Sequence, residues 1–140
     1  MELIIRTQSA DRVAMTIRTA GGVDSDGWLR SDVDIAAGAW HGCFEASFCT
    51  SDFPLFRRQL ESLHSKLDGI ARLDTVEEQL TLEFKLDPCG HISVAGSACD
   101  RAGVGNALKF SLELDQSYLP EIIKQLFAIE TAFPHDGPIV

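Results

Sequence analysis

The sequence lacks several features that would point directly to a function. It has four cysteines in 140 residues, with no Cys-x-x-Cys pair among them, so we expect reduced thiols and a cytoplasmic protein instead of a disulfide framework. No apolar run approaches the roughly 18 residues that a membrane-spanning helix needs. No basic region precedes the apolar stretch at residues 3–5, so we expect no export signal and no membrane partner.

Basic residues are also scarce. The chain has 12 Lys and Arg against 21 Asp and Glu, for a net charge of −9. This charge argues against binding to nucleic acid, because a phosphate surface requires clustered cations. The same charge would speed encounter with a basic protein partner, although many bacterial cytosolic proteins are acidic merely for solubility.

An internal repeat is the most informative feature that is present. Residues 44–63 return as residues 110–129, and both segments pass from an alternating strand into an amphipathic helix. Because every apolar position keeps its phase, the repeat describes a core and not a chemistry. Five of ten aligned pairs are identical, namely Phe44 with Phe110, Ser51 with Ser117, Pro54 with Pro120, Gln59 with Gln125, and Leu60 with Leu126.

Hydrophobic periodicity predicts four strands and one helix in each half. In the first helix, Ser51 is the predicted N-cap, Phe53, Phe56, Leu60, Leu63 and Leu67 form the apolar stripe, and Gly69 ends the helix. A turn at residues 87–90 and a flexible loop at residues 98–106 separate strands of the second half. The predicted strands are 3–7, 12–19, 28–37, 40–49, 70–75, 79–86, 91–97 and 108–114, and the predicted helices begin at Ser51 and Ser117.

The predicted fold is therefore α+β. We expect a curved antiparallel sheet of about eight strands with two amphipathic helices on one face, built from two tandem ββββα units with pseudo-twofold symmetry. Residues 1–140 form one predicted domain, with halves at about 1–69 and 70–134 and a tail at 135–140. Only the short tails have the composition of disordered segments.

Three weak patterns suggest chemistry. His41 with Cys43, and Cys89 with His91, could supply four zinc ligands, but neither spacing is that of a zinc finger. Glu45 or Cys43 could serve a hydrolase or transferase. Charged or small residues on a sheet surface explain all of these positions more simply, so we predict no catalytic, cofactor or metal site and no enzyme.

A small-molecule-binding module is the alternative function. In that hypothesis the sheet and helices enclose an apolar pocket. Four aromatic rings would line the pocket, those of Phe44, Phe48, Phe84 and Phe110, although the same rings could simply fill the core.

Several short motifs resemble WapI-type immunity proteins. The first half supplies Trp28-Leu29, residues 40–44 (Trp-His-Gly-Cys-Phe) and residues 52–60. The second half supplies residues 90–94, residues 105–108 with Phe110, and residues 115–119. The resemblance covers roughly residues 28–134 and implies a small bacterial intracellular protein that binds and neutralises a toxin domain.

A non-enzymatic immunity protein is accordingly the predicted function. An acidic face or loop would cover a basic toxin domain, the expected protein partner. The predicted partner-binding residues are Asp24, Asp26, Asp32, Asp34, Glu77 and Glu78.

Overall fold

A computed structural model of the protein describes residues 1–7 and 13–139, and it confirms the α+β class. The beginning predicted for the second strand, at Arg12, lies outside the described residues. The first half contains β1 (Glu2–Arg6), β2 (Val13–Val23), β3 (Trp28–Ala37), β4 (Trp40–Cys49) and α1 (Asp52–Lys66). The second half contains β5 (Gly69–Asp74), β6 (Leu80–Leu86), β7 (His91–Cys99), β8 (Ala107–Asp115), a 3-10 turn (Gln116–Tyr118) and α2 (Leu119–Ala132).

The strands are divided between two antiparallel sheets. Their orders are β1-β2-β3-β4 and β5-β6-β7-β8, so each sheet is a meander of one sequence half. Local patterning predicts the strands because each alternates buried and exposed residues. The division into two sheets is what the structure adds to the predicted curved sheet. The pseudo-twofold symmetry of the halves remains a prediction.

Each helix packs against the sheet of the other half. The helix α1 contacts β5, and α2 contacts β1. The predicted stripes are mostly buried, and residues of both halves form one apolar core. Full burial of a Leu or Phe side chain contributes about 1.5–3 kcal/mol, so these stripes hold the halves together. The buried stripe residues are Phe53, Phe56, Leu60 and Leu63 in α1 and Leu119, Ile122, Leu126 and Ile129 in α2.

The ends of α1 differ from the prediction. Ser51 occupies the N-cap position but makes no capping hydrogen bond with its side chain; its hydroxyl donates to Cys49 Sγ at 3.2 Å. The helix ends at Lys66, before the predicted Gly69, because Leu67 adopts a left-handed conformation (φ 55°) and donates its N–H to the Leu63 carbonyl. Leu67 is therefore 53% exposed and outside the stripe.

The beginning of the carboxyl-terminal segment contacts the body of the protein. His135 Nδ1 and the Thr50 hydroxyl lie 2.8 Å apart, joining the segment to the β4–α1 connection. Thr50 is buried, so this contact places His135 against the β4–α1 connection. Within the described residues, no helix is long and apolar enough to cross a membrane.

Candidate protein-binding surface

A cleft of about 260 Å³ lies between the β3–β4 hairpin and the beginning of β8. Its walls come from both sheets, because the β3–β4 hairpin and the β7–β8 loop meet at this end of the molecule. Its principal lining residues are Ile35, Phe44 and Leu108 on the apolar side and His41, Asp100 and Asn106 on the polar side. The wall therefore combines apolar and polar side chains.

Trp40 stands at the rim of this cleft. It lies on the same side of β4 as Phe44, Ala46 and Phe48, as the alternation predicts, but burial falls along the strand toward the hairpin. Phe48 is 1% exposed and Trp40 is 70% exposed. A large aromatic ring held in water on a rigid strand is typical of a residue that anchors a protein interface.

The opposite wall of the cleft is the β7–β8 loop, residues 100–106. Asp100 and Asn106 close it: the Asp100 N–H donates to the Asn106 carbonyl at 3.1 Å, and Asp100 Oδ1 accepts from the Asn106 N–H at 2.7 Å. Only glycine fits at position 105, where a Cβ would lie 2.1 Å from Asp100 Oδ1 and 2.4 Å from the Arg101 nitrogen. The loop predicted to be flexible is thus held by its own hydrogen bonds. At its tip, Val104 is 76% exposed.

The outer face of the first sheet carries charges of both signs. Arg18, Asp32 and Glu45 are cross-strand neighbours on β2, β3 and β4. Arg18 Nε lies 3.1 Å from Glu2 Oε1, and Arg30 Nε lies 3.3 Å from Glu45 Oε1. The hydrogen bond to Glu2 is the main cause that raises the pKa of the Arg18 guanidinium. Asp32 forms no ion pair among the described residues, although its charge also raises the pKa of the neighbouring Arg18.

Two of the predicted binding residues, Asp32 and Asp34, share that outer face. Asp34 Oδ1 lies 3.0 Å from His41 Nε2, which connects it to the cleft. Asp24 has a structural role instead, because its Oδ1 accepts hydrogen bonds from the N–H groups of Asp26 and Trp28, each at 2.9 Å. It therefore organises the β2–β3 turn.

The other predicted residues lie in two separate turns. Asp26 lines a shallow groove with Thr50 and His135. Glu77 and Glu78 lie in the β5–β6 turn, where Glu78 has a left-handed backbone (φ 56°). The six acidic residues therefore do not form one cluster. Their role in binding remains a prediction.

The two His/Cys pairs are far apart. His41 and Cys43 line the cleft, whereas Cys89 and His91 lie at the opposite end of β7, about 25 Å away along an extended strand. His91 Nε2 contacts the Glu113 carboxylate and not a second ligand pair. In residues 1–7 and 13–139, no group of three His, Cys, Asp or Glu side chains is placed to hold a metal ion.

The four aromatic rings suggested for a ligand pocket do not line one cavity. Phe48 packs on Phe53 with ring centroids 5.3 Å apart. Phe84 packs on Phe56 at 5.4 Å, and both pairs lie in the core. Phe110 lies over Gly96, where a Cβ would come within 2.2 Å of its ring. Phe44 is the one ring of these four that lines the cleft.

Gln79 joins the two sheets, a role that sequence analysis missed. Its side chain accepts from the Ser47 N–H at 3.2 Å and donates to the carbonyls of Glu45 at 3.2 Å and Cys99 at 3.5 Å. It is only 7% exposed, so these bonds satisfy backbone groups at the edge of β4. No local pattern signals such a long-range contact.

Asp52 is a second residue that sequence analysis missed. It is 3% exposed, and its Oδ2 accepts from the Cys49 N–H at 2.8 Å. Burial raises the pKa of this carboxyl from 3.8 to about 6, against the opposing effect of backbone hydrogen bonds from Cys49 and Val76. Asp52 therefore connects the end of β4 with the β5–β6 turn.

Comparison with known proteins places these features in context. The fold is similar to that of a chain in the crystal structures of Trypanosoma bruciei MRP1/MRP2, with a TM-score of 0.49 and 9% sequence identity. The match covers 94% of this chain and 83% of that chain. A similarity at this level does not indicate a shared function. No curated protein matches the sequence. The model of the WapI-like immunity protein family matches residues 4–134, so the chain belongs to that family, as the motifs predicted.

Proposed function

We propose that this protein binds a toxin domain in the bacterial cytoplasm and neutralises it without enzymatic activity. Membership of the WapI-like family supports an immunity role in general. The net charge of −9 supports a basic partner, because opposite charges speed the encounter of two proteins. Blocking a toxin in this way requires only a surface that covers its active groups.

The exposure of Trp40 is the observation that carries the proposal. A ring that is 70% exposed stands beside a cleft whose apolar wall includes Phe44 and Leu108. A few central aromatic residues usually supply most of the binding energy of an interface. We therefore place the centre of the toxin-binding surface at Trp40, with Asp34 on the other face of the sheet, where it contacts His41 of the cleft.

Growth rescue tests this function. A toxin domain from a neighbouring gene, where one is found, is expressed with wild-type protein, with Trp40→Ala, or with Phe127→Ala. Phe127 is the matched control, because it is also an exposed aromatic residue (58%) but lies on α2. We expect wild type and Phe127→Ala to restore growth. We expect Trp40→Ala to bind the toxin domain at least about tenfold more weakly, which corresponds to a loss of about 1.4 kcal/mol or more of binding free energy.

Two results would count against the proposal. Failure of the wild-type chain to restore growth would reject toxin neutralisation. Equal binding by Trp40→Ala and wild type would reject the location of the surface and leave the immunity function intact.

A further inference from the structure

We infer that the toxin engages this protein by adding a short extended segment to the free edge of β4, at His41 and Cys43. The inference rests on the proposed function and specifies its mode of binding. The proposed occupant is a segment of the partner with basic and apolar side chains. Its backbone would pair with β4 while one of its side chains enters the adjacent cleft.

The register of the β3–β4 hairpin shows which backbone groups of β4 are free. Ala37 pairs with Trp40 across a two-residue connection. The backbone N–H and C=O groups of even-numbered β4 residues therefore bond to β3, and those of odd-numbered residues point away from β3. Three contacts outside the sheet agree with this assignment. They are the hydrogen bonds of the Glu45 carbonyl, the Ser47 N–H and the Cys49 N–H to side chains of other elements.

Those contacts cap only one half of the edge. Gln79 bonds the backbone at Glu45 and Ser47, and Asp52 bonds the backbone at Cys49. Toward the hairpin, the N–H and C=O groups of His41 and Cys43 have no strand beside them, because β4 pairs only with β3 among the described residues. Both residues are exposed. Free edge groups of this kind accept an added strand.

The cleft lies directly beside this uncapped half. Its lining includes the β4 residues from Trp40 to Phe44 on one side and Ala107 and Leu108 on the other. An added strand would run about 4.8 Å from β4 and so along the cleft. Side chains of a strand alternate between its two faces, which lets one of them reach the apolar wall at Phe44 while its neighbour faces the solvent.

The charge around the cleft favours a basic partner over a second copy of this chain. Asp100 lines the cleft, and Asp34 is bonded to His41, which also lines it. Pairing two copies through β4 would bring these carboxylates toward each other in a protein of net charge −9, and like charges across an interface oppose association. A Lys or Arg side chain on the added strand would instead pair with them.

Substitution of the edge by proline tests this mode of binding. Cys43→Pro removes the free N–H without breaking a bond to β3, and proline is tolerated on a strand edge. Two controls separate the effect of losing the backbone N–H from the effect of losing the thiol and from the general effect of a proline in an edge strand. Cys43→Ser keeps the N–H, and Ser111→Pro places proline at an exposed position of β8, which pairs with β7 alone among the described strands.

We expect Cys43→Pro to bind the purified toxin domain at least about tenfold more weakly than wild type, with both controls within about twofold of wild type. Hydrogen exchange of the wild-type complex supplies a readout that needs no variant. Toxin binding should protect the amides of His41 and Cys43 and leave that of Ser111 unchanged.

Each other outcome overturns the inference. Undiminished binding by a folded Cys43→Pro, or binding and growth rescue without protection of Cys43, would reject strand addition and keep the immunity function. A dimer of the free chain that Cys43→Pro converts to a monomer would show that a second copy occupies the edge. Failure of the wild-type chain to bind the toxin at all would reject the proposed function together with the inference.

Discussion

Gln59 and Gln125 occupy equivalent positions of the repeat and make equivalent hydrogen bonds to opposite sheets. Gln59 Oε1 accepts from the Arg72 N–H on β5 at 2.9 Å, and Gln125 Oε1 accepts from the Ile4 N–H on β1 at 2.5 Å. Both strands are sheet edges. Each helix thus satisfies one backbone group at the edge strand of the other half, which explains why a polar residue is conserved between the two copies of the repeat.

Replacing either glutamine by alanine should destabilise the protein to different extents. The Ile4 bond is partly buried, whereas the Arg72 bond is exposed, so water can replace Gln59 more easily than Gln125. We expect Gln125→Ala to lower the free energy of unfolding by about 1–2 kcal/mol and Gln59→Ala by about 0.5 kcal/mol. Urea denaturation of the two variants measures this difference. Equal losses would contradict the role of burial.

Removing the Gln79 side chain should lower the free energy of unfolding more than removing that of Gln59 or Gln125. Gln79→Ala leaves the Ser47 N–H and the carbonyls of Glu45 and Cys99 without this partner in a site that is only 7% exposed. We expect a loss of about 2–3 kcal/mol in the free energy of unfolding, measured by urea denaturation.

The variant Gln79→Glu is the informative control for that prediction. A carboxylate still accepts from the Ser47 N–H but has no N–H to donate to the two carbonyls. It should therefore be at least as destabilising as alanine near neutral pH, because it also buries a charge. A variant with wild-type stability would show that the bridge between the sheets is not needed.

Much of the architecture is local in origin and could be predicted from the sequence. The strands at 28–37 and 40–49 have the predicted bounds, because the alternation of apolar and polar residues is a property of neighbouring positions. The helix stripes were recognised for the same reason. The repeat at an offset of 66 residues then showed that both halves use the same order of elements.

The features that were missed depend on contacts between distant residues. The division of the strands into two sheets, and the crossing of α1 to β5 and α2 to β1, follow from packing of the whole chain. Gln79 bonds to Ser47 and Glu45, which precede it in the sequence by 32 and 34 positions. Trp40 lies on the predicted side of its strand, but nothing local indicates that β4 extends beyond the core there.

The buried carboxyl of Asp52 should make stability depend on pH. Its folded pKa of about 6 lies above its ordinary value of 3.8, so the folded protein binds the proton more tightly than the unfolded chain does. The contribution of Asp52 is therefore largest below about pH 4 and falls by about 3 kcal/mol as the pH rises through 6. Urea denaturation between about pH 4 and pH 7.5 measures this fall.

Asp52→Asn is the matched variant for that measurement. Its amide oxygen can still accept from the Cys49 N–H, while its side chain no longer titrates. The difference in unfolding free energy between wild type and variant isolates Asp52 from the other carboxyls, and it should shift in favour of the variant as the pH rises. A difference that stays constant with pH would contradict burial as the cause.

Electrostatic steering of the partner should make the association rate depend on ionic strength and on individual charged residues. If the partner is basic, raising the ionic strength from about 0.05 to 0.5 M should slow association by about tenfold or more and change dissociation little.

Asp32→Asn should slow association more than Asp136→Asn. Both variants change the net charge equally, but Asp32 lies on the outer face of the first sheet and Asp136 beyond α2.

Surface plasmon resonance with the purified toxin domain measures both rates. The pair of variants separates a local effect from the general charge of the protein, because long-range attraction responds to both substitutions alike. Equal slowing would indicate that net charge alone guides the encounter. Association that does not respond to salt would show that the partner is not basic, and would leave the apolar anchor at Trp40 as the main source of recognition.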